Sequence, residues 1–198
     1  MIEPLDDARI SDVVALHQQV LGHTLNSRLG PWFLHKLYRQ TVLSRQNGFC
    51  YIYTNESEIV GFISFCRDHH RLESEIRRSL SFRDRMRVAV ILLAHPSWWP
   101  PLLRQLLFSR FLVSRYPEQY SLILTLGVAP DQQGKGVGSQ LIQKAITVVA
   151  ALGVQDFFVD TEVTNTAAIE TYKKNLFSMV GIKYGNVILH YGASRNKR

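Results

Sequence analysis

The chain has almost no cysteine. Its 198 residues include only Cys50 and Cys66, both in apolar, strand-like runs, which excludes a disulfide-stapled scaffold and reads as two buried free thiols. Long hydrophobic runs are missing as well. The closest approach, Val88 to Ala94, is stopped by His95 and Pro96, far short of the roughly 18 residues that a spanning helix needs. There is no low-complexity tract and no internal repeat. The opening Met1-Ile2-Glu3-Pro4-Leu5-Asp6-Asp7 has early acids and no apolar signal core, so a cytoplasmic protein is expected. His69, His70, His95 and His190 lack metal-ligand spacing, and no metal is expected. What is present, 46% hydrophobic and 20% charged residues, is the balance of a chain that buries a core.

The charge is uneven. The formal net charge is +7, and between Arg67 and Arg115 stand ten arginines and no lysine against Asp68, Glu73, Glu75 and Asp84. One segment thus holds nearly all the excess. Such a patch suits a phosphate-bearing ligand or an anionic membrane surface, and it also reads as a solvated helix face. It has no Cys/His finger spacing and no helix-turn-helix pattern, so nucleic acid is not an expected partner.

Ile2 to Leu5 predicts a short strand. Ile10, Val13, Val14, Leu16, Val20 and Leu21 follow with helical spacing up to Gly22, and a second helix starts at Gly30-Pro31 with Leu34, Leu37, Tyr38 and Val42 on its apolar side. Gly48 to Tyr53 and Ile59 to Phe65 flank a polar turn and predict an antiparallel hairpin. The segment from about 67 to 118 predicts a helical insertion broken at His95 to Pro101. Its second half spaces Leu102, Leu103, Leu106, Leu107, Phe111 and Val113 as one face of a basic amphipathic helix, to pack on the core, on a second subunit or on a membrane surface. Then come strand Leu122 to Val128, helix Val137 to Leu152 capped by Gly153, strand Asp156 to Val163, helix Thr166 to Asn175, and strands Met179 to Lys183 and Asn186 to Tyr191. A single α/β domain with one sheet and one helical insertion is expected.

The most informative stretch is Leu126 to Ser139. A strand runs into a turn with three alternating glycines, Gly134, Gly136 and Gly138, which opens the clearest helix of the chain. Glycines let a ligand approach the main chain, and the unpaired amides of a first helical turn favour an anion such as a pyrophosphate. Lys135 adds one positive charge. The spacing departs from both the phosphate loop of nucleotide hydrolases and the dinucleotide fingerprint.

Gln133-Gly134-Lys135-Gly136-Val137-Gly138, preceded by Val128-Ala129-Pro130, resembles the Gln/Arg-x-x-Gly-x-Gly/Ala pyrophosphate loop of the GNAT superfamily of acetyl-CoA-dependent N-acetyltransferases. A second block, Asn165 to Tyr172 with Phe177 beyond it, is similar to that family's Asn-x-x-Ala-x-x-x-Tyr. The likeness covers residues 2 to 66 and 119 to 191. Leu176 departs from the family's glycine, and the insertion resembles that of a branch with a similar Arg-rich segment. The resemblance implies a mixed, mostly antiparallel central sheet with helices on both faces, its fourth and fifth strands splayed at the cofactor site, where Gly127 would permit the distortion. It implies acetyl-CoA held by Leu126, Val128, Gln133, Gly134, Lys135, Gly136, Val137, Gly138, Ser139, Asn165 and Tyr172.

In that reading the Val128 amide donates to the thioester oxygen and Tyr172 protonates the departing sulfur. An aromatic at this point of a helix also reads as core. Asp160 and Glu162 share one strand face and are the two candidates for general base; both also read as exposed strand carboxylates. Asp160 stands five residues before Asn165, the position of the catalytic glutamate in the ribosomal-protein alanine acetyltransferases that this block resembles, and is one methylene shorter. The expected activity is acetyl transfer to a primary amine of a small anionic acceptor, by direct attack in a ternary complex. The insertion's arginines, Arg77 and Arg78 among them, would suit the acceptor's phosphate or carboxylate. Acetylation of a protein N-terminus or lysine, and a non-catalytic acyl-CoA-binding module, are the alternatives. Peripheral membrane contact through the insertion, and a monomer or a homodimer, stay open.

Overall fold

The computed structural model describes residues 1–44, 46–100, 102–104, 107, 111 and 120–192. Its strands are β1 (Ile2–Pro4), β2 (Gly48–Asn55), β3 (Glu58–Cys66), β4 (Ser121–Val128), β5 (Phe157–Glu162), β6 (Ser178–Lys183) and β7 (Asn186–Tyr191). Its helices of more than one turn are α1 (Ile10–Leu21), α2 (Leu25–Arg28), α3 (Pro31–Leu43), α4 (His69–Ser79), α5 (Phe82–Ala94), α6 (Val137–Ala151) and α7 (Thr166–Lys174). The strands make one sheet in the order β1-β2-β3-β4-β5-β7-β6. Each neighbouring pair is antiparallel except β4 and β5, which are parallel.

Both faces of the sheet are covered. Strand β3 shows why: every residue from Ile59 to Cys66 is buried, the pattern of a strand packed on two sides rather than one. Ile63 and Phe65 pack with Leu141, Ile142 and Ala145 of α6, while Phe62 packs with Ile10 and Val13 of α1 and Leu34 of α3. Cys50 belongs to the α1–α3 layer and Cys66 to a third cluster with Leu72 of α4, and both are free thiols.

Helix ends follow their residues. Pro31 opens α3 behind Gly30, which has a φ of 100°, as a first-turn proline should. Helix α6 ends in a Schellman turn, with Val154 N bonded to Val149 O and Gly153 at φ 71°. Helix α7 closes the same way, with Phe177 N on Tyr172 O and Leu176 N on Lys173 O, yet the left-handed position is Leu176, at φ 67° and 74% exposed. The turn is kept despite the departure from glycine, at the steric cost of a β-carbon in that conformation.

The insertion is two helices where the periodicity predicts one before His95. Leu80 is extended, and Ser81 with Asp84 forms a reciprocal capping box that restarts the chain as α5. Asp84 also takes a 2.7 Å ion pair from Lys36, and Glu75 accepts from the Ser44 hydroxyl, so both helices are tied to α3. Lys36 and Ser81 together hold the Asp84 carboxyl low, at about 2. The amphipathic helix expected over residues 102 to 113 lies mostly outside the described residues. Among the described residues no helix is long and apolar enough to cross a membrane.

Candidate active site

β4 and β5 stay paired for three rungs only, Ser121 with Phe157, Leu122 with Phe158 and Ile123 with Val159. Beyond Ile123 they part. The cause lies on the other edge of β4, where the register with β3 slips so that Leu124 has no partner opposite it; such a bulge bends the strand and adds twist. Gly127 is not where the strand distorts. It sits opposite Phe62, and a β-carbon there would fall 2.5 Å from Phe62 Cε1 and 2.9 Å from Val20 Cγ2. Glycine at 127 makes room for a ring.

The parting leaves a cavity of about 870 Å³. One part of its wall is Leu124, Thr125 and Leu126 of β4 facing Asp160, Thr161 and Glu162 of β5, with Asn165, Ala168 and Tyr172 beside them. The other is built from the α1–α2 corner, with His17, His23, Asn26 and Arg28, and from Arg104, Tyr184 and Asn186.

On the β4 edge it is the backbone that faces the crevice. Ala129 N donates to Val60 O at 2.8 Å, and alternation along an antiparallel ladder then turns the main-chain groups of Val128 and Leu126 away from β3, towards the crevice. Val128 O on that edge accepts from Gln133 Nε2 at 3.2 Å, so this side chain pins the glycine loop to the strand. Gly134 and Gly136 are left-handed at φ 75° and 83°, and a β-carbon at either would meet nothing within 4 Å. The first bond into α6 runs from Gln140 N to Gly136 O, which leaves the amides of Val137, Gly138 and Ser139 ahead of it for a ligand. Lys135 is exposed beside them, 3.4 Å from Gln132 Oε1. An open, glycine-lined concavity at a helix N-terminus with a lysine at its edge fits a pyrophosphate.

The second motif is positioned by capping. Asn165 Oδ1 accepts from Ala168 N at 3.2 Å, so that oxygen starts α7 and only the side-chain nitrogen is left to face a ligand. The far end is bolted by the buried Asn175, which takes a bond from Gln143 Nε2 at 2.9 Å and gives bonds to Ser139 Oγ at 3.1 Å and Thr171 O at 2.8 Å. Between these ends Tyr172 is buried at 4% exposure, in the same core cluster as Phe177 and Val159, and also lines the cavity. The core and functional readings of this residue are compatible.

Asp160 and Glu162 both reach the cavity. Asp160 Oδ2 accepts from Asn186 Nδ2 at 3.0 Å, and burial pushes its carboxyl up to about 6, with the Asn186 bond pulling the other way. Burial first, and the Asp160 charge second, hold the Tyr172 phenol well above its ordinary value. Glu162 is exposed and accepts a long bond from Thr164. The geometry therefore separates two carboxylates that the strand pattern leaves equivalent: Asp160 is the enclosed one.

Of the charge run, Arg104 reaches the cavity but Arg77 and Arg78 do not. Arg77 pairs with Glu73 at 2.6 Å on the exposed side of α4, and neither Arg77 nor Arg78 lines the cavity. Arg28 and Arg104 do. Arg28 lies 5.6 Å from the Trp98 ring centroid, and Arg104 Nη1 lies beside the β6–β7 turn, 3.4 Å from where a β-carbon on Gly185 would stand. His17 also escapes a motif search. Its one local signal is a polar ring at helical spacing within the apolar stripe of α1.

A family model for the GNAT acetyltransferases matches residues 18–176. Among solved structures the chain is similar to the PaiA N-acetyltransferase of Thermoplasma acidophilum in complex with coenzyme A (TM-score 0.63, 11% identity, 98% of each chain covered). It is also similar to the ribosomal-protein-alanine N-acetyltransferase of Brucella melitensis (0.61, 14%, 98% and 99%) and to the ribosomal-protein-S18-alanine N-acetyltransferase of Escherichia coli (0.57, 12%, 100% and 97%). No curated protein sequence matches. The family match spans most of the chain, from α1 across the parted strands to the Leu176 turn, and on it the protein belongs to the GNAT family of acetyltransferases, whose acetyl donor is acetyl-CoA.

Proposed function

We propose that the enzyme acetylates the primary amine of a small anionic acceptor by direct attack within a ternary complex. The observation that carries this reading is the cavity itself, which sets Asp160 and Tyr172 in one wall beside the crevice and Arg28 and Arg104 in another. Acetyl-CoA supplies the activated thioester. The amides of Val137 to Ser139, with Lys135, hold its pyrophosphate, and Gly134 and Gly136 keep side chains out of the way. The Val128 amide donates to the carbonyl oxygen as it gains charge, worth about 3 kcal/mol for one such donor.

Asp160 takes the proton of the attacking nitrogen. A carboxyl that titrates near 6 is a stronger base than an ordinary aspartate and is ionised at neutral pH. The nitrogen bonds to the acyl carbon, the carbon–sulfur bond breaks, and Tyr172 gives its phenol proton to the sulfur. The two groups are matched, because the charge on Asp160 helps hold Tyr172 protonated. Once Asp160 is neutral that restraint lifts, and the phenol becomes a better donor as the thiolate leaves. Neither thiol takes part in this scheme: Cys50 and Cys66 are buried in the core and do not line the cavity.

The segment from 67 to 118 belongs, in this reading, to the acceptor side of a single acetyltransferase domain, since Arg104 stands in the wall and Trp98 backs Arg28. Initial rates of acetyl-CoA consumption against a panel of amino sugars, sugar phosphates bearing amines, and peptide N-termini test the proposal. Intersecting double-reciprocal plots with a small anionic amine are expected. Parallel plots would remove the ternary complex, and a preference for peptides would replace the acceptor class.

A further inference from the structure

His17 is the most enclosed polar group on the cavity wall. It is 2% exposed, its ring stacks on Phe62 at 5.7 Å, and Nε2 is buried with no hydrogen-bond partner among the described residues. The other ring nitrogen is engaged. Nδ1 lies 2.6 Å from the Tyr38 hydroxyl, Tyr38 lies 3.3 Å from Thr125 Oγ1, and Thr125 meets the Ser64 hydroxyl. Four side chains from α1, α3, β4 and β3 thus form one chain of hydrogen bonds under the crevice.

The direction of this chain follows from its shortest link. If His17 Nδ1–H donated to Tyr38, the Tyr38 proton would pass to Thr125 and Nε2 would be left as a bare, unpaired acceptor. Run the other way, Ser64 donates to Thr125, Thr125 to Tyr38 and Tyr38 to Nδ1, and one unpaired group is left, the Nε2–H of His17. The 2.6 Å separation is short for an N–H donor and ordinary for O–H. Burial holds the imidazole neutral, moving its titration down to about 4, so the ring has one proton and the relay places it on Nε2.

We propose, resting on the acetyltransferase reading above, that His17 is a specificity-determining residue of the acceptor site: its Nε2–H donates to an oxygen of the acceptor, so the acceptors are amines carrying a hydroxyl or carboxylate beside the reacting nitrogen. A buried donor left unpaired in the free enzyme is a device for discrimination, because an acceptor lacking the oxygen leaves it unpaired in the complex as well. A protonated Nε2 also bars His17 from acting as general base and leaves that role to Asp160.

Two measurements on the full-length chain test this. Nitrogen-15 NMR of histidine-labelled protein is expected to show the His17 ring as the Nε2–H tautomer, and Tyr38→Phe to raise the share of the Nδ1–H form. A wild-type Nδ1–H tautomer overturns the proposal whatever the acceptor is. Initial rates are then compared for serinol against isopropylamine, and for β-alanine against propylamine, with wild type, His17→Gln and His17→Phe. The wild type is expected to favour the oxygen-bearing amine by about tenfold or more in kcat/KM, His17→Phe to lose that ratio and His17→Gln to restore part of it; the two amine pairs separate hydroxyl from carboxylate recognition. An unchanged ratio in His17→Phe, or no turnover of either oxygen-bearing amine by wild type that binds acetyl-CoA calorimetrically, overturns it. Absence of acetyl-CoA binding by the wild type would instead remove the acetyltransferase mechanism and leave the tautomer result standing.

Discussion

The two sides of the cavity are made of different material. In the proposed function the working groups on the cofactor side are main-chain amides of β4 and of the first turn of α6, and Gly134 and Gly136 contribute there by having no side chain. On the proposed acceptor side the working groups are side chains that line the cavity, His17, Arg28, Arg104 and Asp160, brought from α1, α2, the insertion and β5. A backbone site tolerates change in its side chains and fails when its dihedrals or its emptiness are disturbed. A side-chain site does the opposite.

The sharpest test of this contrast is at the chemistry. Asp160→Asn is expected to lower turnover by roughly 10²- to 10³-fold with little change in acetyl-CoA affinity. The parent should show an acid limb in kcat/KM near pH 6, which the variant lacks. Stability carries the same signature. Burial raises the folded carboxyl to about 6 from an ordinary 3.8, so between those values the folded chain holds more protons, and its stability from this group falls as pH rises through the window. Asp160→Asn should be the more stable protein at pH 8 and lose that advantage below about pH 4, as denaturant titrations at the two pH values would show.

Next in size is the cofactor loop. Gly136→Asp puts a branched, negative side chain at a left-handed position where an anion must sit, and acetyl-CoA affinity should fall by about 100-fold while the fold survives. Lys135→Ala, which removes the loop's one cationic side chain, should cost only a few-fold. Equal losses, read by calorimetric titration, would break the division between backbone and side-chain sites. On the other side Arg104→Ala should raise the acceptor KM about tenfold and leave acetyl-CoA binding intact. The smallest effect is structural: Leu176→Gly relieves the left-handed leucine of α7 and should add about 1 kcal/mol to unfolding free energy, seen as a rise in denaturation midpoint.

The contrast also explains what was legible in the sequence. A backbone motif is written in consecutive residues, and the run from Val128 to Ser139 folds as the expected strand, turn and helix start, and the block from Asn165 to Tyr172 as the expected capped helix. Helix α6 with its Gly153 cap, the β2–β3 hairpin and the last two strands were legible for the same local reason. The other wall was legible only in part: charge density pointed to the insertion, which supplies Arg104, but Arg28 is far from it in sequence and joins it only through the fold. Arg77 and Arg78, picked from the same run, are accounted for by a neighbouring glutamate and an exposed helix face. The bulge at Leu124 was hidden too, since it is a property of the β3–β4 register rather than of a residue type, and Gly127 drew attention by identity alone. The break at Leu80 had a readable signal in Ser81-x-x-Asp84, outweighed by the helical periodicity on either side.

Cys50 and Cys66 lie on the same face of the sheet but in separate clusters, one with α1 and α3 and the other with α4. Burial raises both thiols, that of Cys66 to about 12, so at neutral pH each is shielded and scarcely ionised, and an alkylating reagent reaches it only when its cluster opens. The enzyme therefore carries two built-in clocks. Mass spectrometry of peptides after timed exposure to iodoacetamide would date the opening of the α1–α3 cluster and of the α4 cluster separately, in purified protein or in a crude extract, with no label added and no residue changed.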